Sequence, residues 1–202
     1  MSSYGFRDGK IALKKLIVED KMPVHYSIPY VRASAFGLTN ALVRGWDTSA
    51  GTTAETNTTM SLQPPYPARL IVYASAAGSA VATQDYLEFR GWNAKGDYVV
   101  EDVSVAATAA TKHYTNNAFA KLYSVTPDGA DHTSTAVNIG WSQIVGLPYA
   151  LESASDVLNA QKGLNFATTA LTYNTTYDTV TLTGLAAGST FNILYKSKVQ
   201  DK

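Results

Sequence analysis

Cysteine is absent from the 202-residue chain, and charge is scarce, with only 16% of residues Asp, Glu, Lys or Arg against about 25% in an average soluble domain. The first absence excludes a disulfide framework, a thiolate zinc site and a cysteine nucleophile. The second leaves the surface to Thr, Ser, Asn, Ala and Gly. Sixteen basic residues balance sixteen acidic ones, so no global field draws the protein to nucleic acid or anionic lipid, and no local basic patch stands in for one. No apolar stretch approaches the roughly 18 residues of a membrane helix. The opening MSSYGFRDGK lacks the apolar block of a secretory signal. The expectation is a soluble protein made in a cytoplasm, with a single core feasible at this length.

What is present divides near residue 62. Charge gathers between Lys10 and Lys21, and Val24 to Phe36 (VHYSIPYVRASAF) is apolar, aromatic and punctuated by Pro29. Proline fixes its own φ and pushes its predecessor toward extended backbone. Residues 1–62 therefore read as an extended N-terminal arm followed by a polar loop, Thr48 to Thr59 (TSAGTTAETNTT). Tyr26, Ile28, Tyr30, Val31 and Phe36 are its candidate partner-binding anchors. If they bind a neighbour, deleting Met1 to Phe36 should leave the rest of the chain folded.

Residues 63–202 read as a β-sandwich or barrel-like domain, so the fold class is mainly β with an extended arm. The cluster Gln63 to Pro67 (QPPYP) opens into Arg69 to Tyr73 (RLIVY), a β-branched run. Tyr86 to Trp92 alternates, turns at Asn93-Ala94-Lys95-Gly96 and returns as Tyr98 to Val105, a hairpin with Gly96 at a positive φ. Thr115 to Phe119 could form one capped helical turn. Lys121 to Thr126, Thr135 to Trp141, Ala170 to Thr175, Thr179 to Thr183 and Thr190 to Lys196 are further strands. Only Ile11 to Asp20 and Ser153 to Lys162 have room for a longer helix, and neither is strongly capped. Strands spaced roughly 8–12 residues apart, without intervening helices, favour a sandwich or barrel over βαβ units.

Catalytic and metal-binding patterns are missing. His25, His113 and His132 stand far apart, without metal-ligand spacing. Nucleophile-elbow, phosphate-loop and dinucleotide signatures do not occur. Glu88 could face Glu101 across the hairpin, as a carboxylate pair in glycoside hydrolysis requires, but solvated strand positions near Arg90 and Lys95 explain both. Asp128 to Asp131 (DGAD) lacks the later ligands of a calcium loop. No catalytic residue, cofactor or metal is assigned. The aromatics are more conspicuous: Tyr86, Trp92, Tyr98, Tyr123 and Trp141, if exposed, suit sugar stacking or a protein interface.

Pro67-x-Arg69 into a strand, Gly91-x-Asn93-x-x-Gly96, Glu101, Ala118-Phe119-x-x-Leu122-x-Ser124-Val125-Thr126, Ile139-Gly140-Trp141 and Gly146-Leu147-Pro148-Tyr149 follow one another in order. With Thr-rich strands and a final apolar strand, Phe191 to Tyr195, this succession resembles small virion proteins of tailed bacteriophages, over about Gln63 to Lys196. The resemblance implies a non-enzymatic head decoration, or cement, protein on the outer capsid surface, synthesised in the bacterial host cytoplasm. The implied partners are the major capsid protein and further copies of the chain, as a trimer, with no nucleic acid and no membrane. Competing readings are a tail-tube or head–tail joining protein, and a carbohydrate-binding or host-adhesion module.

Overall fold

The computed structural model describes residues 21–29, 43–47, 62–74, 85–105, 112–128, 136–162, 165–166, 171–182 and 190–198. The described residues form two antiparallel sheets around one core, so the fold is mainly β and sandwich-like. The larger sheet contains β2 (Val43–Asp47), β3 (Ala68–Ala74), β4 (Asp85–Asn93), β5 (Tyr98–Val105), β6 (Lys112–Asp128), β7 (Ala136–Gly146), β10 (Leu171–Asn174) and β11 (Thr179–Leu182). Its order is β10-β11-β7-β3-β6-β4-β5, with β2 also on β7. The smaller sheet, in order β1-β12-β8-β9, is built from β1 (Lys21–Pro29), β8 (Val157–Lys162), β9 (Asn165–Phe166) and β12 (Thr190–Lys198).

Period-two burial makes the inner faces. Along β12, Phe191, Ile193, Tyr195 and Ser197 are buried while the residues between them are not. Val24 and Ile28 of β1 and Ala160 of β8 join that face, opposite Leu70, Val72, Phe89, Phe119, Leu122 and Ile139 of the larger sheet. The hydroxyl of Tyr195, with its ring fully buried, accepts from Tyr149 N and donates to Tyr149 O. This satisfies the polar tip of an otherwise apolar side chain.

The N-terminal expectation needs correction. Lys21–Pro29 is extended, as its prolines suggest, but it pairs residue for residue with β12, from Lys21↔Lys198 to Pro29↔Thr190. Ile28 is buried in the chain's own core and Tyr26 packs against it, so neither is a free anchor for a partner. Tyr30, Val31 and Phe36 lie outside the described residues. Val43–Asp47 likewise belongs to the larger sheet through β7, so the boundary at residue 62 does not separate an arm from a body. Deleting Met1 to Phe36 would remove an edge strand and uncover Phe191, Ile193 and Tyr195. Pro23 and Pro29 share one parity on that edge. Proline has no N–H and is tolerated in a sheet only where that position faces away from the ladder, so the free edge of β1 loses donors at both positions and is a poor template for strand exchange.

Of the stretches with room for helix, Ile11 to Asp20 lies outside the described residues and the other two are not α-helical. Ser153 caps only a 3-10 turn, Ala154–Asp156, and the chain leaves it extended at Val157 to become β8. Thr115 to Phe119 lies inside the 17-residue β6 and forms a bulge rather than a helical turn. The hairpin turn is as expected: Asn93 Oδ1 accepts from Lys95 N and Asp97 N, and Gly96 has φ +86°.

Proline shapes the entry to β3. Pro64, Pro65 and Pro67 supply no donors, and Gln63 replaces the missing ladder: its carboxamide donates to Leu122 O at 3.0 Å and accepts from Leu122 N at 2.9 Å.

Burial pushes the Tyr26 phenol up to about 12, and raises Tyr195 for the same reason. An unfolded tyrosine ionises near pH 10, so above that pH the folded state holds the extra proton. The stabilisation is complete below pH 10 and is lost as pH rises toward 12, at up to about 1.4 kcal/mol per pH unit for each phenol. Urea unfolding of Tyr26→Phe between about pH 9 and 12 should therefore show a shallower alkaline decline than the parent. Parallel declines would mean that this phenol is as well solvated in the folded state as in the unfolded one.

Candidate functional site

The sequence motifs meet at one end of the larger sheet. Between Arg69↔Ala118 and Ile71↔Tyr114 the β3–β6 register slips, leaving Thr115 to Asn117 without ordinary ladder partners. Thr115 is fully buried, and its hydroxyl accepts from Leu70 N and donates to Asn117 O, both at 2.8 Å. Arg69 donates through Nε to Thr115 O; burial lowers its pKa and Glu101 opposes that shift. The Glu101 carboxylate accepts from Asn116 N and, at 2.8 Å each, from Asn117 N and Asn117 Nδ2.

That carboxylate reports a sheet that has curled. Trp92 pairs with Tyr98 on one side and Lys121 on the other. Glu101 lies three residues beyond this row, and Asn117 four residues from it in the opposite sense. At about 3.4 Å per residue a flat sheet would hold them over roughly 20 Å apart. Their contact requires β5 to close toward the start of β6, which gives the sandwich a barrel-like end.

The same end contains a second node. Asp178, a non-glycine residue at φ +50°, is buried. Its carboxylate accepts from Leu151 N at 2.7 Å and pairs with Lys95 Nζ at 2.5 Å, while its carbonyl accepts from Leu147 N. A methyl group on Gly146 would lie 2.5 Å from Ala118 Cβ and 2.9 Å from Ala94 Cβ, so glycine is required where these loops converge. At Gly91 a Cβ would meet Lys121 O at 2.2 Å, beside a register slip between β4 and β6. Gly91, Glu101, Arg69 and Gly146 are thus explained by backbone geometry and need no ligand.

Glu88 and Glu101 do not face each other across the hairpin, in line with the preferred reading of solvated strand positions. Glu88 is opposite Asp102, whereas Glu101 is opposite Phe89 and turned to the bulge. Glu88 holds Arg90 Nε at 2.6 Å. Among the described residues no group of three or more His, Asp or Glu side chains is placed to hold a metal.

The exposed feature is an aromatic row on the outer face of β6-β4-β5. Trp92 stands in the middle strand; Tyr98 lies 5.4 Å away at 75° and Tyr123 6.2 Å away at 87°, both edge-on. Lys121 Nζ sits 5.4 Å from the indole centroid, a cation–π contact. Tyr98 and Tyr123 are 50% and 55% exposed, too open to be core residues. Tyr86 is exposed farther along β4. Trp141, the other aromatic expected in this set, is instead buried at 3%, because its side chain joins the core between the sheets. No helix among the described residues is long and apolar enough to cross a membrane.

Comparison with family models, curated proteins and solved structures returned no match.

Replacing Glu101 by Gln substitutes a donor for one of the two oxygens that hold the bulge. Hydrogen bonds to charged groups contribute about 1.5–3 kcal/mol. Glu101→Gln should lower the stability read from the urea midpoint by an amount in that range, whereas Asp102→Asn, on the exposed face one residue away, should stay within about 0.5 kcal/mol. Equal effects would show that the carboxylate does not hold the bulge.

Proposed function

We propose that this chain is a non-catalytic structural component of a tailed double-stranded DNA bacteriophage particle, a decoration protein that binds the major capsid lattice through the outer face of β6-β4-β5. The exposed Tyr98–Trp92–Tyr123 row carries the reading. Tyr, Trp and Arg dominate binding energy at protein interfaces, and here two tyrosines flank a tryptophan, with Arg90 on the same strand. Three hydrogen-bonded strands hold the row, so little side-chain freedom is lost on docking. The ordered succession of motifs, which resembles that of small phage virion proteins, favours the same assignment. Those motif residues define the fold, and the row on the surface they shape does the binding.

A lattice partner suits a site of this kind. One copy needs only modest affinity, since repetition of the partner and assembly of the chain into a trimer raise the effective concentration at each position. The tail and joining readings place the protein around a DNA lumen, where a broad acidic surface is expected; on the outer face of β6-β4-β5 Glu88 is paired with Arg90 and Glu101 is turned to the bulge, leaving Asp102, opposite Glu88, exposed on this face.

Two measurements test the proposal. Quantitative protein analysis of purified particles should find the chain near equimolar with the major capsid protein; its absence from particles refutes the reading. Trp92→Ala combined with Tyr98→Ala should reduce co-sedimentation with heads by 30-fold or more, taking about 2 kcal/mol for an interface anchor, while leaving cooperative thermal unfolding intact. Full binding by a folded double variant would move the interface elsewhere.

A further inference from the structure

The outward face of the smaller sheet carries a side-chain grid that neither the core nor the aromatic row uses. Register places His25, Leu194 and Asn159 in one row across β1, β12 and β8, and Ser27, Asn192 and Gln161 in the next. Between the rows, Tyr26, Ile193 and Ala160 point the other way, into the core. All the grid residues except Ser27 line an open groove of about 370 Å³, within the roughly 300–1,000 Å³ usual for small-molecule sites.

The chemistry of this groove is selective. Three of its side chains are carboxamides, each with two donors and an acceptor. Among the described residues none of the three has a hydrogen-bond partner. Asn is depleted in strands, so Asn159 and Asn192 are not there to favour the sheet. The adjacent row on this face holds Lys196 opposite Pro23, and Lys196 is already engaged. Among the described residues the lining of the groove holds no carboxylate and no lysine or arginine.

We propose that this groove binds a neutral glycan. Each sugar hydroxyl is both donor and acceptor, and a planar carboxamide answers both functions at once. Leu194, between His25 and Asn159, supplies the aliphatic surface on which the C–H face of a sugar ring rests. Among the described residues the grid offers anionic ligands no lysine or arginine, and purely apolar ligands would strand three carboxamides. The groove is open, so a chain can lie across the strands. Its floor is three paired strands anchored from below by Ile193 and Tyr26, which limits the ordering lost on binding.

The test uses the full chain and no phage heads, so it fails or succeeds independently of the capsid proposal. An array of neutral oligosaccharides (glucans, galactans, mannans and N-acetylhexosamine oligomers) should give at least one binder, to be measured by titration calorimetry. Asn192→Ala and Gln161→Ala should each weaken that binder about 3- to 10-fold, the range for one lost hydrogen bond. The double variant should lose it by more than tenfold, and Trp92→Ala should leave it unchanged. Saturating sugar should also shift the side-chain amide NMR signals of Asn159, Gln161 and Asn192 in the unmodified protein, a readout that does not depend on any variant folding. A silent array overturns the proposal, as does binding restricted to acidic glycans. So does binding that survives the double variant or is lost with Trp92→Ala.

Discussion

Two backbone N–H groups, those of Asn116 and Asn117, set the terms for the larger sheet. The slip between β3 and β6 turns both out of the ladder, and a backbone donor withdrawn from water without a partner costs about 1–3 kcal/mol. Glu101 meets the demand from a strand that is two places away in the sheet. It can do so only if β4 and β5 curl around, and that curl gives the outer face of β6-β4-β5 its shape. Gly91 belongs to the same solution, since a Cβ there would collide with Lys121 O just where β4 must follow the bend in β6. The curl thus shapes the surface on which the aromatic row stands, while the row itself follows from the pairing of Trp92 with Tyr98 and Lys121.

Strand content was legible from the sequence because it is encoded locally. β-branched alternation and Gly/Pro punctuation marked β3, the β4–β5 hairpin and the Thr-rich C-terminal strands within a few residues, and the start but not the end of β7, which runs on to Gly146. Partner choice was not legible. Thr115-Asn116-Asn117 looks like a helix cap because Thr and Asn side chains bond to nearby backbone in either setting; what settles the matter is Glu101, more than ten positions earlier. Lys21–Pro29 reads as an arm because proline and exposed odd positions suit an unpaired extended chain equally well, and its partner β12 stands at the opposite end of the sequence.

The aromatic site was legible in composition and not in exposure. Trp92 and Trp141 both sit in alternating strands, and nothing within either strand says which face meets water. The answer depends on which face meets the core: β7 and β4 both have strands on either side, yet Trp141 is turned to the core, while Tyr98 and Tyr123 stand on the outer face beside Trp92. The carboxamide grid is harder still to read. His25, Asn159, Gln161, Asn192 and Leu194 come from three separated segments, and only the register of β1 and β8 on β12 collects them. A motif search looks for spacing along the chain, whereas this grid exists only as spacing across it.

The two outer faces differ in the kind of contact they can make. An aromatic row with a lysine over its central ring gains from excluding water and suits a surface as broad and fixed as itself. Unpaired carboxamides gain little from exclusion and much from a partner that returns each hydrogen bond, which favours a small polar ligand over a flat protein surface. The outer edge of β1, the terminal strand of this sheet among the described residues, adds a restraint: with Pro23 and Pro29 removing donors along it, further chain cannot readily be added there. Strand exchange at this edge is disfavoured, whereas on the two outer faces side-chain chemistry rather than backbone pairing decides the partner.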